Sequence, residues 1–145
     1  MPKESSRRDN DRENLLVSLK KAQEQQGYIT DESVTEVAGS LNVGIAEAYG
    51  VATFYSFLSK KPLGRNVIRV CRSLPCYLEN SRMIVKAISD ELGISPGETT
   101  PDDRFSLELT NCIGACDEAP AMLINHDLHG NLTPEKISQI LKEYK

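Results

Sequence analysis

The chain has 145 residues, 39% of them hydrophobic and 26% charged, with a formal net charge of −4 and a pI near 5.2. That is the make-up of an ordinary soluble globular protein with room for one domain plus a substantial extension. The acidic balance speaks against an electrostatic nucleic-acid binder, and no apolar run approaches the roughly 20 residues needed to span a bilayer.

The opening MPKESSRRDNDREN mixes acids with arginines and carries no apolar stretch, so it reads neither as a secretory signal nor as a mitochondrial transit peptide. A cytoplasmic chain without direct membrane insertion is the expectation. Residues 1–12 read as a disordered polar leader. From Glu13 to Gln26, Leu15, Leu16, Leu19 and Ala22 fall on one helical face, and Gly27 ends that helix. Thr30 is a good N-cap, followed by Asp31 and Glu32 where the positive end of the helix dipole favours acids. Val34, Val37, Ala38 and Leu41 recur at i, i+3, i+4 and i+7, and residues 42–44 break the pattern. A third helix is predicted from Ile45 to about Leu58, with KKPLG at 60–64 as a linker. Residues 13–63 thus read as a small helical bundle.

Inside this bundle VTEVAGSLNVGIAEAYGVATF scans as a helix-turn-helix. A DNA reader needs Arg, Lys, Asn or Gln on its second helix to meet phosphates and base edges. Residues 45–57 contain none of these, and Glu47 would face the phosphates. A helical bundle is the better reading, with Phe54, Tyr55 and Phe57 either in its core or presented to a partner.

Residues 64–145 read as an α/β module. NVIRV at 66–70 is a short strand leading into Cys71. Asn80 or Ser81 caps a helix through about Leu92, with Ile84, Val85, Ile88 and Leu92 on one face and Gly93 at its end. SPGETTPDD is a loop by composition. Phe105, Leu107 and Leu109 alternate along a second strand that leads into Cys112. AMLIN and the residues after the HDLHG turn form two further strands, and Thr133 with Pro134 starts a last helix bearing Ile137, Ile140 and Leu141. The order β-α-β-β-β-α suits a small mixed sheet flanked by helices, with both cysteine segments at one end.

Those cysteines are Cys71, Cys76, Cys112 and Cys116, spaced C-x4-C and C-x3-C with 35 residues between the pairs. In a reducing compartment such clustering points to metal ligands rather than disulfides. A [2Fe–2S] cluster needs two thiolates on each iron and carries a formal charge of about −2, or about −3 when reduced. Gly114 and Ala115 suit this, because small residues let backbone N–H groups approach sulfur closely. Pro75 stiffens the first segment. A four-cysteine zinc site is the alternative, although neither pair has its usual C-x2-C spacing. The C-x-x-C of a thiol–disulfide exchanger is absent. His126 and His129 fall in a predicted hairpin and read as solvated turn residues, with a place near the cluster end as the alternative.

Several stretches are also those of a known family: QEQQGYI at 23–29, YGVATFYSF at 49–57, VCRSLPCYLENS, LGISPGETTPDDRFSLEL, NCIGACDEAPAMLIN and LTPEKI. With them the chain resembles, from Leu15 to Leu141, the NuoE-type subunit of NADH:quinone oxidoreductase and of soluble NAD(P)-linked hydrogenases and formate dehydrogenases. The resemblance implies a thioredoxin-like [2Fe–2S] ferredoxin domain preceded by an N-terminal helical bundle. It implies Cys71, Cys76, Cys112 and Cys116 as ligands of one [2Fe–2S] cluster and no catalytic residue on this chain. It implies a partner, the NuoF-type flavoprotein subunit of a larger complex, which binds FMN and NAD(P) and exchanges single electrons with the cluster. No G-x-G-x-x-G occurs here, in keeping with a nucleotide bound elsewhere. The likeness also implies a cis-proline at Ala119–Pro120. Asn111, Leu128 and His129 depart from the family's usual residues, and none of them is a ligand position.

Overall fold

The computed structural model describes residues 4–144. The chain forms two compact units that divide between Pro62 and Leu63. No helix among the described residues is long and apolar enough to cross a membrane.

The first unit holds three helices: α1 (Glu4–Gln26), α2 (Asp31–Leu41) and α3 (Ile45–Phe54). Helix α1 begins well before the predicted Glu13, so residues 4–12 are helical and not the disordered leader expected; residues 1–3 lie outside the described residues. No Gly or Pro interrupts the chain between Glu4 and Gln26, and its Arg and Glu residues are good helix formers. The Thr30 hydroxyl caps α2 by accepting the Ser33 N–H at 3.1 Å. Asn42, left-handed at φ 52°, ends that helix.

Helix α3 stops four residues short of the predicted Leu58 because residues 57–59 have other partners. The Gln23 side-chain amide donates to the Phe57 carbonyl (2.9 Å) and accepts the Ser59 N–H (2.6 Å), while the Ile29 N–H donates to the Ser59 carbonyl (2.7 Å). The core is Leu15, Leu19, Ile29, Val34, Ala38, Ala48, Ala52 and Leu58. Tyr49 and Tyr55 pack against it, but Phe54 is 78% exposed. The aromatic stripe therefore divides between core and surface.

The second unit is a four-stranded sheet in the order β2-β1-β3-β4. Strand β1 (Asn66–Cys71) pairs parallel with β2 (Phe105–Thr110) and antiparallel with β3 (Met122–Ile124), which pairs antiparallel with β4 (Asp127–His129). Between β1 and β2 lie a one-turn helix α4 (Leu74–Leu78), not predicted from sequence, and α5 (Ser81–Leu92); α6 (Pro134–Glu143) closes the chain. Pro75 in the first turn of α4 explains that helix, since a fixed φ and a missing N–H suit that position. Gly93, at φ 68°, ends α5 with its N–H on the Ser89 carbonyl.

One core joins the sheet to α5 and α6: Ile68 and Val70 from β1, Ile84 and Ile88 from α5, Phe105 and Leu107 from β2, Met122 and Ile124 from β3, and Ile137 and Leu141 from α6. Strand alternation and helical periodicity converge there, as the sequence pattern requires. This is a thioredoxin-like α/β arrangement, following a helical region.

Candidate metal centre

Parallel strands end at the same edge of a sheet, and that rule assembles the site. Cys71 is the last residue of β1 and lies opposite Thr110, the last residue of β2, so Cys112 follows two residues later at the same edge. Strand β3 runs the other way and therefore starts at this edge. The Cys71 N–H donates to the Ala121 carbonyl (3.2 Å), which brings in the turn before β3 that carries Cys116. Three strand ends thus supply the four thiols.

All four cysteines are free. Cys71 and Cys76 are each 1% exposed, Cys76 being the one residue of α4 turned inward. Cys112 and Cys116 are exposed, with their sulfurs 3.4 Å apart. The Cys71 thiol is a neighbour of Cys76, and its charge, like that of Cys112, raises the Cys116 thiol. Among the described residues, no three His, Cys, Asp or Glu side chains surround a single-ion position. The thiols pair as Cys112 with Cys116 and Cys71 with Cys76.

Backbone N–H groups meet the sulfurs. The Gly114 N–H donates to Cys112 Sγ at 3.4 Å, from a backbone held at φ 81° that glycine adopts freely. That contact, followed by the Cys116 thiol, lowers the Cys112 pKa. Burial pushes the Cys76 thiol up, opposed by the Ala121 N–H that faces its sulfur. The neighbouring Cys112, then burial, raises Cys116. A donor set of four thiols, in pairs, with N–H dipoles aimed at sulfur, fits a [2Fe–2S] cluster, whose negative charge such hydrogen bonds offset.

A family model for thioredoxin-like [2Fe–2S] ferredoxins matches residues 2–145. The chain belongs to that family. Its cofactor is one [2Fe–2S] cluster. This ferredoxin is 42% identical over 130 residues to the NuoE-type subunit of the NADH-quinone oxidoreductase of Buchnera aphidicola, covering 90% of this chain and 80% of that one. The corresponding NADH-quinone oxidoreductase subunit of Escherichia coli K12 is likewise 42% identical, with 90% and 78% covered. The fold superposes with a TM-score of 0.74 on an NAD+-reducing [NiFe]-hydrogenase chain at 24% identity, covering 90% of this ferredoxin but only 22% of that chain.

Sequence reasoning anticipated the Gly114 contact and the cis peptide at Ala119–Pro120, which the structure contains. It missed the Ala121 N–H, because a backbone donor leaves no side-chain signal. It also misread His129. This residue is not a solvated turn histidine: its Nε2 lies 2.9 Å from the Tyr144 hydroxyl, which donates to Asp127 Oδ2 at 2.9 Å. The hydroxyl has one proton and gives it to the carboxylate, so His129 Nε2 is the donor of the pair. His126 is exposed, as expected.

Proposed function

We propose that this ferredoxin is the [2Fe–2S] electron-transfer subunit of a flavin-dependent NAD(P)H oxidoreductase complex, with Cys71, Cys76, Cys112 and Cys116 holding the cluster. The observation that carries this reading is the gathering of four thiols, two and two, where β1, β2 and β3 meet. A cluster bound there supplies reversible one-electron exchange. The chain's residues hold its irons, offset its charge through the Gly114 and Ala121 N–H groups, and shield one pair by burying Cys71 and Cys76.

The partner is an FMN- and NAD(P)-binding flavoprotein of the NuoF type, at the cytoplasmic face of the assembly. Such a partner would supply the hydride chemistry, and the four thiols of this chain would hold the group that exchanges single electrons with it. Supporting this are the two relatives that serve as NuoE-type subunits of NADH-quinone oxidoreductases. The helical unit is the anchoring element, since Ile45 at the start of α3 and Phe54 at its end are exposed apolar side chains.

The test is iron and zinc per chain in anaerobically purified protein, with EPR spectra before and after dithionite. Two irons per chain and a single spin appearing on reduction are expected. One zinc without a spin signal would overturn the reading in favour of a zinc-stabilised interaction module. Replacing each cysteine in turn by alanine tests the ligands individually. Removing residues 1–63 is expected to end co-purification with the flavoprotein while the signal persists.

A further inference from the structure

Strand alternation gives the sheet two faces. Ile68 and Val70 enter the core with α5 and α6, so Arg69 and Cys71 share the opposite face of β1. They stand about 7 Å apart along the strand. The register sets Glu108 of β2 on one side of Arg69 and Leu123 of β3 on the other. Apart from the Cys71 thiol, Arg69 and Glu108 are the ionisable residues that the four strands bring to this face.

Arg69 is half-buried in a strand whose other residues are all buried. Its Nε is shut off from solvent and meets no hydrogen-bond acceptor among the described residues. Burial lowers the pKa of the guanidinium, and the Glu108 carboxylate offsets that only in part. A cation withdrawn from water without full compensation costs stability. Such a position calls for a second negative charge nearby. Four thiolates holding a [2Fe–2S] cluster at the end of the same strand supply it, with a charge of about −2, or about −3 when reduced.

We propose that Arg69 is the electrostatic counterweight of the cluster, a fixed cation on the Cys71 face of the sheet that favours the reduced form and raises the reduction potential. This inference rests on the function proposed above. Reduction adds one negative charge to the site. At an effective dielectric constant of about 20, a unit charge about 10 Å away shifts such a one-electron equilibrium about ten-fold. That corresponds to about 59 mV. The Gly114 and Ala121 N–H groups each act on one sulfur, whereas Arg69 acts on the total charge. Arginine suits the task because its guanidinium stays charged where a lysine shifts more readily. Glu108 works against Arg69, so the potential depends on both members of the pair.

The experiment is spectroelectrochemical titration of the cluster-loaded full chain and four variants, each first checked for its iron content. Arg69→Met removes the charge and is expected to lower the potential by the equivalent of about ten-fold in the reduced-to-oxidised ratio. Arg69→Lys keeps the charge and is expected to stay near the unaltered value. Glu108→Gln is expected to raise the potential. Arg65→Met makes the same change in net charge at an exposed residue before β1 and is expected to leave it unmoved. Equal shifts in Arg69→Met and Arg69→Lys would make Arg69 a packing residue and overturn the proposal. A shift in Arg65→Met as large as that in Arg69→Met would overturn it too, since net charge alone would then explain the effect. Should Arg69→Met lose its iron, Glu108→Gln decides: a raised potential upholds the counterweight, and an unmoved or lowered one overturns it. Unmoved potentials in iron-loaded variants would leave the proposed function standing, whereas an unaltered chain that holds no iron would overturn both.

Discussion

Gly130 lies directly against Glu118: a methyl group at Gly130 would come within 2.5 Å of the Glu118 Cβ and 3.1 Å of its carbonyl oxygen. The Asn131 N–H donates to that carbonyl (2.6 Å) and the Leu132 N–H to the Pro120 carbonyl (3.1 Å). The chain leaving β4 thus clamps the turn that carries Cys116. Gly130→Ala is expected to cost about 1–3 kcal/mol by overpacking and to reduce iron retention by displacing that turn. Thermal melts and iron per chain check it; a variant melting and holding iron like the unaltered protein would contradict the clamp.

Gly114 holds its N–H on the Cys112 sulfur from a left-handed backbone at φ 81°. Alanine there costs about 1–2 kcal/mol and loosens the N–H···S contact. Fewer hydrogen bonds to sulfur favour the less negative, oxidised cluster, so the reduction potential of Gly114→Ala is expected to fall. Spectroelectrochemical titration reads it directly, and a raised or unchanged potential would refute the role given to this N–H.

Burial, and then the hydrogen bond to Asp127, push the Tyr144 phenol up to about 12. A raised pKa means the fold favours the protonated form. Its contribution is complete below the ordinary phenol value of about 10 and is lost as pH rises from there through about 12. Tyr144→Phe is expected to lower Tm at neutral pH and to flatten the alkaline decline over that interval. Melts across the alkaline range check the sign, since a steeper decline in the variant is the opposite outcome.

In the helical unit, the Gln23 amide ties α1 to residues 57 and 59 through one donated and one accepted hydrogen bond. Gln23→Ala is expected to destabilise the unit by about 1–3 kcal/mol, the sum of two typical bonds. Gln23→Glu should fall between, because a carboxylate still accepts the Ser59 N–H but has no proton for the Phe57 carbonyl. Denaturant unfolding orders the three proteins, and equal stabilities would mean that the bridge contributes nothing.

The sequence by itself determined the local elements. Thr30 before Asp31 and Glu32, Gly93 after Leu92, Thr133 before Pro134 and the alternation of Phe105 and Leu107 each act over one turn or one strand, where cap chemistry and periodicity are legible. The four cysteines were legible too, because spacing and residue type are properties of the chain. Tertiary structure alone decided what depends on distant partners. Parallel pairing of β1 with β2 sets Cys71 and Cys112 at one edge although they are far apart along the chain. Gln23 ends the chain's helical course after Phe54, and Glu118 explains why residue 130 has no side chain. Tyr144 gives His129 a structural partner that no turn pattern announces. Such contacts join segments remote in sequence, and their geometry exists only once the core of Ile68, Ile88 and Met122 has closed.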